Sequence, residues 1–389
     1  MAATSVSTAV SLQVDRFTPV THVADLARAY ADSGVVDYQT CTDQLVSWWP
    51  DVLWKQEMAS RPLGKLVRDA DSFHDVYSLS AYMAAVTGGR LGVAPTLDCV
   101  RRGPAELVQT MATLSGMTHN RPIFMFGGGE QKQCKPFGYK RIEGLTRLED
   151  LFRINKLMWE CEAPFDFEGH HCKLKNAWLG TASRQNRPQV WAVGGGPKLM
   201  EIAASYADGF ATMARYVFVS PEHAAERIAA MKKELAALGR DPATFRFGII
   251  AAILLHEDPA VLDRAIDDPL FKFMTATMGR INQNDWDLDG IEPPMPRDWI
   301  YAIKMLPAEM KMPEVNDWLA RVTRPMAEKT WIYGAPKQVG EELCKYVEAG
   351  ADWIGVYDML SFTVPPEEQR AAAQRSIEVC RVLKQRYPG

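Results

Sequence analysis

Several stretches of the chain combine residue types and spacings that can do chemistry. Gly194-Gly195-Gly196-Pro197-Lys198 lies between a strand-like and a helix-like segment. Backbone N–H groups and the positive end of a helix hold a phosphate well at such a place. The same glycines also suit any tight strand-to-helix turn, and Lys198 is either an added charge or a solvated surface residue. Gly127-Gly128-Gly129-Glu130 follows a short apolar strand. Its glycines let a ligand come close to the backbone, and Glu130 is either an acid at that place or an exposed loop residue. Asp15 ends the first strand-like segment and Asp43-Gln44 follows the second. A strand-end acid can line a pocket, but Asp15 can equally pair with Arg16, and Asp43 can cap a helix. Gln44 hydrogen-bonds but cannot abstract a proton. Trp48 and Trp49 crowd the following loop, where aromatics wall an apolar substrate pocket or pack the loop down.

Other chemistries lack support. His170-His171-Cys172 has zinc-binding residue types, but adjacent residues on a hairpin face opposite ways, so no metal site is expected. Neither GxGxxG nor GxxxxGK[ST] occurs, so a Rossmann-type NAD site and a nucleoside triphosphate site have no signature. The net charge of −4, with interspersed signs, gives no basic stripe for nucleic acid. The first residues lack a basic, then apolar, leader pattern, and no run of about 18 apolar residues could span a membrane. A cytoplasmic protein is therefore expected. The 7 cysteines include no CxxC pair and read as reduced thiols.

Strand-like and helix-like patterns alternate along the chain, the mark of a parallel sheet wrapped by helices. Strands are predicted over residues 9–15, 35–41, 90–94, 122–126, 189–193, 209–213, 245–255 and 353–357. Helices are predicted over 21–33, 74–87, 144–161, 197–206, 220–238, 336–349 and 365–387, with a further one opened by Pro104. Residues 163–178 read as a surface hairpin. The rhythm breaks over about 257–325, a Pro-rich excursion of the kind that forms a lid or an interface. These units predict an α/β fold, a (β/α)₈ TIM barrel with insertions over residues 1–389 as one domain, with an open doubly wound sheet as its competitor.

The order of several motifs resembles a known family. Arg90-Leu-Gly-Val with Arg101-Arg102-Gly103-Pro104, then Phe126 to Glu130, then Gly194 to Lys198 with Tyr206-Ala207-Asp208-Gly209-Phe210, and finally Gly334-Ala335-Pro336 resemble successive units of the luciferase-like flavin and deazaflavin enzymes. Together they span most of the chain. Within that family the length and the Pro-rich excursion look like the phthiodiolone ketoreductase-type deazaflavin reductases.

The resemblance implies a ring coenzyme at the barrel mouth, either coenzyme F420 or, alternatively, FMN. It implies cofactor binding by Asp43, Ala94, Pro95, Gly128, Gly129, Gln133, Gly194, Gly195, Gly196 and Lys198. Ala94-Pro95 stands where the family has a strained cis peptide and a bulge that backs the ring, although a trans proline ending a strand is the ordinary reading. Glu130 aligns with a family carboxylate that donates a proton, and Asp15 with one that lines the pocket. The family often shows Asp-His before a Trp, whereas here the His is Gln44, which argues against His-based alcohol oxidation. The expected activity is hydride transfer from reduced F420 to a carbonyl or activated alkene of an apolar substrate, with Glu130, Asp15 and Gln44 as catalytic residues and Trp48 and Trp49 in the substrate pocket. An FMNH₂-dependent monooxygenase and a non-catalytic flavin- or lipid-binding barrel are the alternatives, and relatives commonly form homodimers.

Overall fold

The computed structural model describes residues 5–11, 19–180 and 186–388. Its strands are β1 (Ser7–Ser11), β2 (Tyr38–Thr40), β3 (Gly92–Val93), β4 (Thr96–Asp98), β5 (Ile123–Gly127), β6 (Phe165–Glu168), β7 (Lys173–Ala177), β8 (Gln189–Val193), β9 (Gly209–Ala214), β10 (Arg246–Leu255), β11 (Ile332–Gly334) and β12 (Trp353–Asp358). β6 and β7 form the antiparallel hairpin that the alternation predicts. The main sheet is parallel, in the order β3-β2-β1-β12-β10-β9-β8-β5-β4, with β11 added beside β10.

The two ends of this ladder are consecutive pieces of one stretch of chain. β3 pairs with β2 and β4 pairs with β5. Between them Ala94 N still donates to Gln39 O at 2.9 Å and Thr96 N to Cys41 O at 3.0 Å, while Met125 N donates to Pro95 O at 3.0 Å. The sheet therefore closes, with β3 and β4 as a single barrel strand interrupted where Pro95 has no N–H to give. This is the (β/α)₈ barrel predicted from the alternation, and the open sheet is excluded by those bonds.

Most predicted elements stand where the pattern puts them. Pro104, Pro197 and Pro221 each open a helix at a position where the missing N–H costs nothing, in Pro104–Ser115, Pro197–Tyr206 and Pro221–Ala237. The first strand, predicted over 9–15, begins at Ser7 and is described as far as Ser11; residues 12–15, Asp15 among them, lie outside the described residues. The Trp-rich loop contains a helix, Asp51–Met58, and β11 was not predicted. Strand three is shorter than predicted before Ala94 and resumes after Pro95.

Inside the barrel, Trp191 and Trp353 meet edge to face with ring centroids 6.0 Å apart. Glycines make room for them: a Cβ on Gly209 would lie 2.7 Å from the Trp191 ring, and one on Gly248 2.8 Å from it. This end is packed solid, so ligand space is left at the C-terminal ends of the strands.

The excursion is mostly helical, with Pro259–Asp267, Pro269–Met278, Met312–Arg321 and Arg324–Thr330. Asp258 and Asp268 cap its first two helices, each accepting from a backbone N–H at 2.9 Å. It is tied to the barrel by indole N–H groups. Trp49 Nε1 donates to Leu270 O at 2.9 Å and Trp331 Nε1 to Thr275 Oγ1 at 3.1 Å. Arg280, buried within it, pairs with Asp289 at 2.6 Å and covers the Trp286 ring at 4.6 Å. Among the described residues no helix is long and apolar enough to cross a membrane.

Candidate active site

A cavity of about 820 Å³ opens at the C-terminal ends of the strands. Barrel-strand ends and following loops line it from below, and the excursion roofs it with Met274, Met278, Ile300 and Tyr301. Of the residues singled out from the sequence, Asp43, Gln44, Trp48, Gly128, Gly129, Glu130, Gln133, Gly194, Gly195, Gly196 and Lys198 all reach this cavity. Residues far apart in the chain thus converge at one mouth.

Three singled-out residues stand elsewhere. Trp49 is fully buried behind Trp48, packed against Trp54 and Phe362 and bonded to Leu270, so it anchors the loop and does not line the pocket. Ala94 and Pro95 are buried at the break in strand three, and it is Thr96, Leu97 and Asp98 that line the cavity. Gln133 borders the cavity but has committed its amide to the protein: Oε1 accepts from Leu45 N at 2.7 Å and Val46 N at 3.1 Å, and Nε2 donates to Val46 O at 2.6 Å.

At the β8 end, the glycines form a cradle. Gly194 has φ +148°, a conformation that favours glycine. A Cβ on Gly195 would lie 2.5 Å from Val217 Cγ1, whereas one on Gly196 would meet nothing within 4 Å. Gly196 is the N-cap of Pro197–Tyr206. Lys198 is half-exposed and paired with Glu201 at 2.7 Å. Arg227 and His223 line the same cavity from Pro221–Ala237, one helical turn apart. The sequence reading passed over both; their spacing on the helix after β9 was the available signal.

At the β2, β4 and β5 ends, charge is buried. Arg101 Nη2 lies 2.9 Å from Asp43 Oδ2, and its Nε 3.3 Å from Asp98 Oδ2. Burial raises the Asp98 pKa against the pull of Arg101, and for Arg101 the two carboxylates outweigh burial and raise its pKa. Glu130 Oε2 stands 2.9 Å from Lys132 Nζ. Burial lowers the Lys132 pKa, with Glu130 opposing the effect. Lys132 was also missed, because a lysine in a sequence reads as exposed.

Three buried polar atoms of cavity-lining residues, Trp48 Nε1, Arg141 Nε and Thr212 Oγ1, have neither a hydrogen-bonding nor an ion-pair partner among the described residues. Such groups mark a place where a ligand supplies the missing partner. Among the described residues no three His, Cys, Asp or Glu side chains are grouped to hold a metal. His170 and His171 sit on the β6–β7 turn, with their backbone N–H groups donating to Asp150.

The family model for luciferase-like monooxygenases matches residues 51–353. The chain belongs to this family. Among luciferase-like relatives, it is 24% identical over 324 residues to the phthiodiolone/phenolphthiodiolone dimycocerosates ketoreductase of Mycobacterium kansasii, covering 82% of this chain and 86% of that one. It is 27% identical over 175 residues to an F420-dependent glucose-6-phosphate dehydrogenase of Kineococcus radiotolerans, covering 44% of this chain and 50% of that one. In structure it is similar to an F420-dependent secondary alcohol dehydrogenase in complex with an F420-acetone adduct, with TM-score 0.71 at 15% identity over 99% of this chain and 100% of that one. A long-chain alkane monooxygenase also shares the luciferase-like fold, with TM-score 0.62 at 18% identity, covering 98% and 92% of the two chains.

Proposed function

We propose that the protein is a coenzyme F420-dependent oxidoreductase that reduces a carbonyl or activated alkene of an apolar substrate. The observation that carries this reading is the two-ended cavity: a glycine cradle with cationic neighbours at one end and a roofed apolar chamber with hydrogen-bond donors at the other. The donor set fits a phosphate-bearing ring coenzyme, and Gly194 to Gly196 leave backbone N–H groups room to approach the anion. The ketoreductase and the F420-dependent relatives support the choice of coenzyme and reaction. When bound, reduced F420 supplies a hydride from carbon C5 of its ring and, lacking a flavin nitrogen there, does not readily activate oxygen.

In this reading, Gly194 to Gly196, Lys198 and Arg227 hold the phosphate, and Gly128 and Gly129 give the ring access to the backbone of the β5 loop. Trp48 and the excursion's Met274, Met278 and Ile300 enclose the apolar part of the substrate and exclude water. Glu130, held by Lys132, is the group through which a proton reaches the developing oxygen.

Anaerobic titration with reduced F420 and, separately, reduced FMN tests the proposal. Preferential deazaflavin binding, followed by its oxidation on adding an apolar ketone or enone, is the expected result. Preferential FMN binding with oxygen consumption would overturn it in favour of a monooxygenase.

A further inference from the structure

Lys132 is 1% exposed, on the short helix Gln131–Cys134 behind the cavity wall. A lysine ammonium has three donors and no acceptor, so whatever it touches through hydrogen bonds must be an acceptor. Its Nζ donates to Val46 O at 2.7 Å and to Gln44 Oε1, and completes its set with the ion pair to Glu130. Gln133 gives a second, independent constraint. Its Oε1 is fixed by two backbone N–H donors, so its other end is the NH₂, and that NH₂ also donates to Gln44 Oε1. Two donors from two side chains meet the same atom of Gln44, and that atom must be its oxygen. The Gln44 NH₂ is the remaining end; it has no hydrogen-bonding partner among the described residues, and Gln44 lines the cavity.

We infer that Lys132 and Gln133 lock Gln44 as a hydrogen-bond donor for the oxygen of a carbonyl substrate, with Lys132 as the positioning residue. The assignment rests on the reading above for the identity of that substrate, but the orientation of the amide does not depend on any coenzyme. An NH₂ at this place stabilises oxygen that carries or gains negative charge, as a carbonyl oxygen does on reduction. It cannot accept a proton from a bound alcohol. What Gln44 itself contributes therefore favours a ketone oxygen, which only accepts, over an alcohol hydroxyl, which must find its acceptor elsewhere.

The test is calorimetric titration of the full chain, without added coenzyme, with 2-decanone and with 2-decanol. The parent is expected to prefer the ketone. Gln44→Glu keeps the shape and gives Lys132 a carboxylate to hold, but turns an acceptor toward the cavity. Its ratio of ketone to alcohol affinity should fall about tenfold, the scale of one hydrogen bond gained or lost. Lys132→Met leaves the amide held by Gln133 alone, and the ratio should fall part of the way. Gln44→Asn, too short to reach both partners, should lose the preference without favouring the alcohol. An unchanged ratio in Gln44→Glu overturns the donor assignment, and an unchanged ratio in Lys132→Met overturns the positioning role. If the ratios move as expected but reduced F420 is never oxidised by ketones, the coenzyme reading fails and this assignment stands; if ketones are reduced and Gln44→Glu behaves as the parent, the reverse holds.

Discussion

Arg101 Nη2 rests 2.9 Å from Asp43 Oδ2, and both side chains are less than a tenth exposed. The pair joins the loop after β2 to the loop after β4 at the floor of the cavity, and Asp98 completes the cluster from the other side. Replacing Arg101 by Met leaves two buried carboxylates with no cation between them. Removing one partner of a buried pair costs about 3–5 kcal/mol. Urea unfolding should show a loss of this order, whereas a change within about 1 kcal/mol would mean that the carboxylates are solvated from the cavity.

The glycine cradle makes a sharper distinction between neighbours. Gly195→Ala drives a methyl into Val217, while Gly196→Ala meets open space. Overpacking of this kind costs about 1–3 kcal/mol, which in binding corresponds to roughly tenfold or more. Fluorescence titration should show weakened coenzyme affinity in Gly195→Ala and a much smaller effect in Gly196→Ala. Equal effects would place the bound anion elsewhere.

The cations around the cradle are not equivalent. Lys198 is half-exposed and already paired with Glu201, whereas Arg227 faces the cavity with Met200 Sδ as its hydrogen-bonding neighbour at 3.0 Å. Exposed ion pairs are worth little, so Lys198→Ala should change the coenzyme Kd less than about threefold. Arg227→Ala should weaken it about tenfold, with a reduced dependence on salt, as befits a charge-assisted bond to phosphate. A larger effect for Lys198 than for Arg227 would reverse the assignment.

Asp358, at the end of β12, is buried, which raises its pKa from 3.8 to about 7, with Arg375 opposing. Its Oδ1 accepts from Leu255 N and Leu360 N, both at 3.2 Å. Because the folded chain holds this proton more tightly than the unfolded one, the contribution is fully present below the unfolded value and is lost as pH rises through the folded one. The slope is about 1.4 kcal/mol per pH unit within that window. Asp358→Asn should therefore be increasingly more stable than the parent as pH rises toward 7, and the gap should level off above it. A gap that does not vary between pH 5 and 7 would refute the raised value.

Periodicity made the barrel legible because its strands are buried on both faces and its helices begin at prolines and end at glycines. What the pattern could not carry was partnership. Nothing local singles out Lys132 or Arg101 as a site cation until the fold brings Glu130, Asp43 and Asp98 against them. Trp48 and Trp49 are adjacent and chemically alike, yet one lines the cavity and the other bonds to Leu270. Strand three looked complete at Ala94 because Pro95 is a stop in local terms; only pairing with two different neighbours shows that the strand resumes. β11 has three residues, too few to repeat a pattern. The candidate site was legible where glycines and strand ends announce a backbone shape, and hidden where it depends on a buried charge.

The bond from Trp49 to Leu270 has a mechanical side. Leu270 belongs to the helix that supplies Met274 and Met278 to the roof, and Trp49 follows directly on Trp48 and lies five residues beyond Gln44. The roof and the cavity wall that carries Trp48 and Gln44 are thereby joined. Under the proposed function, a roof helix that lifts either gives up this bond or carries Trp49, and with it the strand-end segment of Trp48 and Gln44, so admission of a bulky guest and alignment of the amide are coupled through one indole.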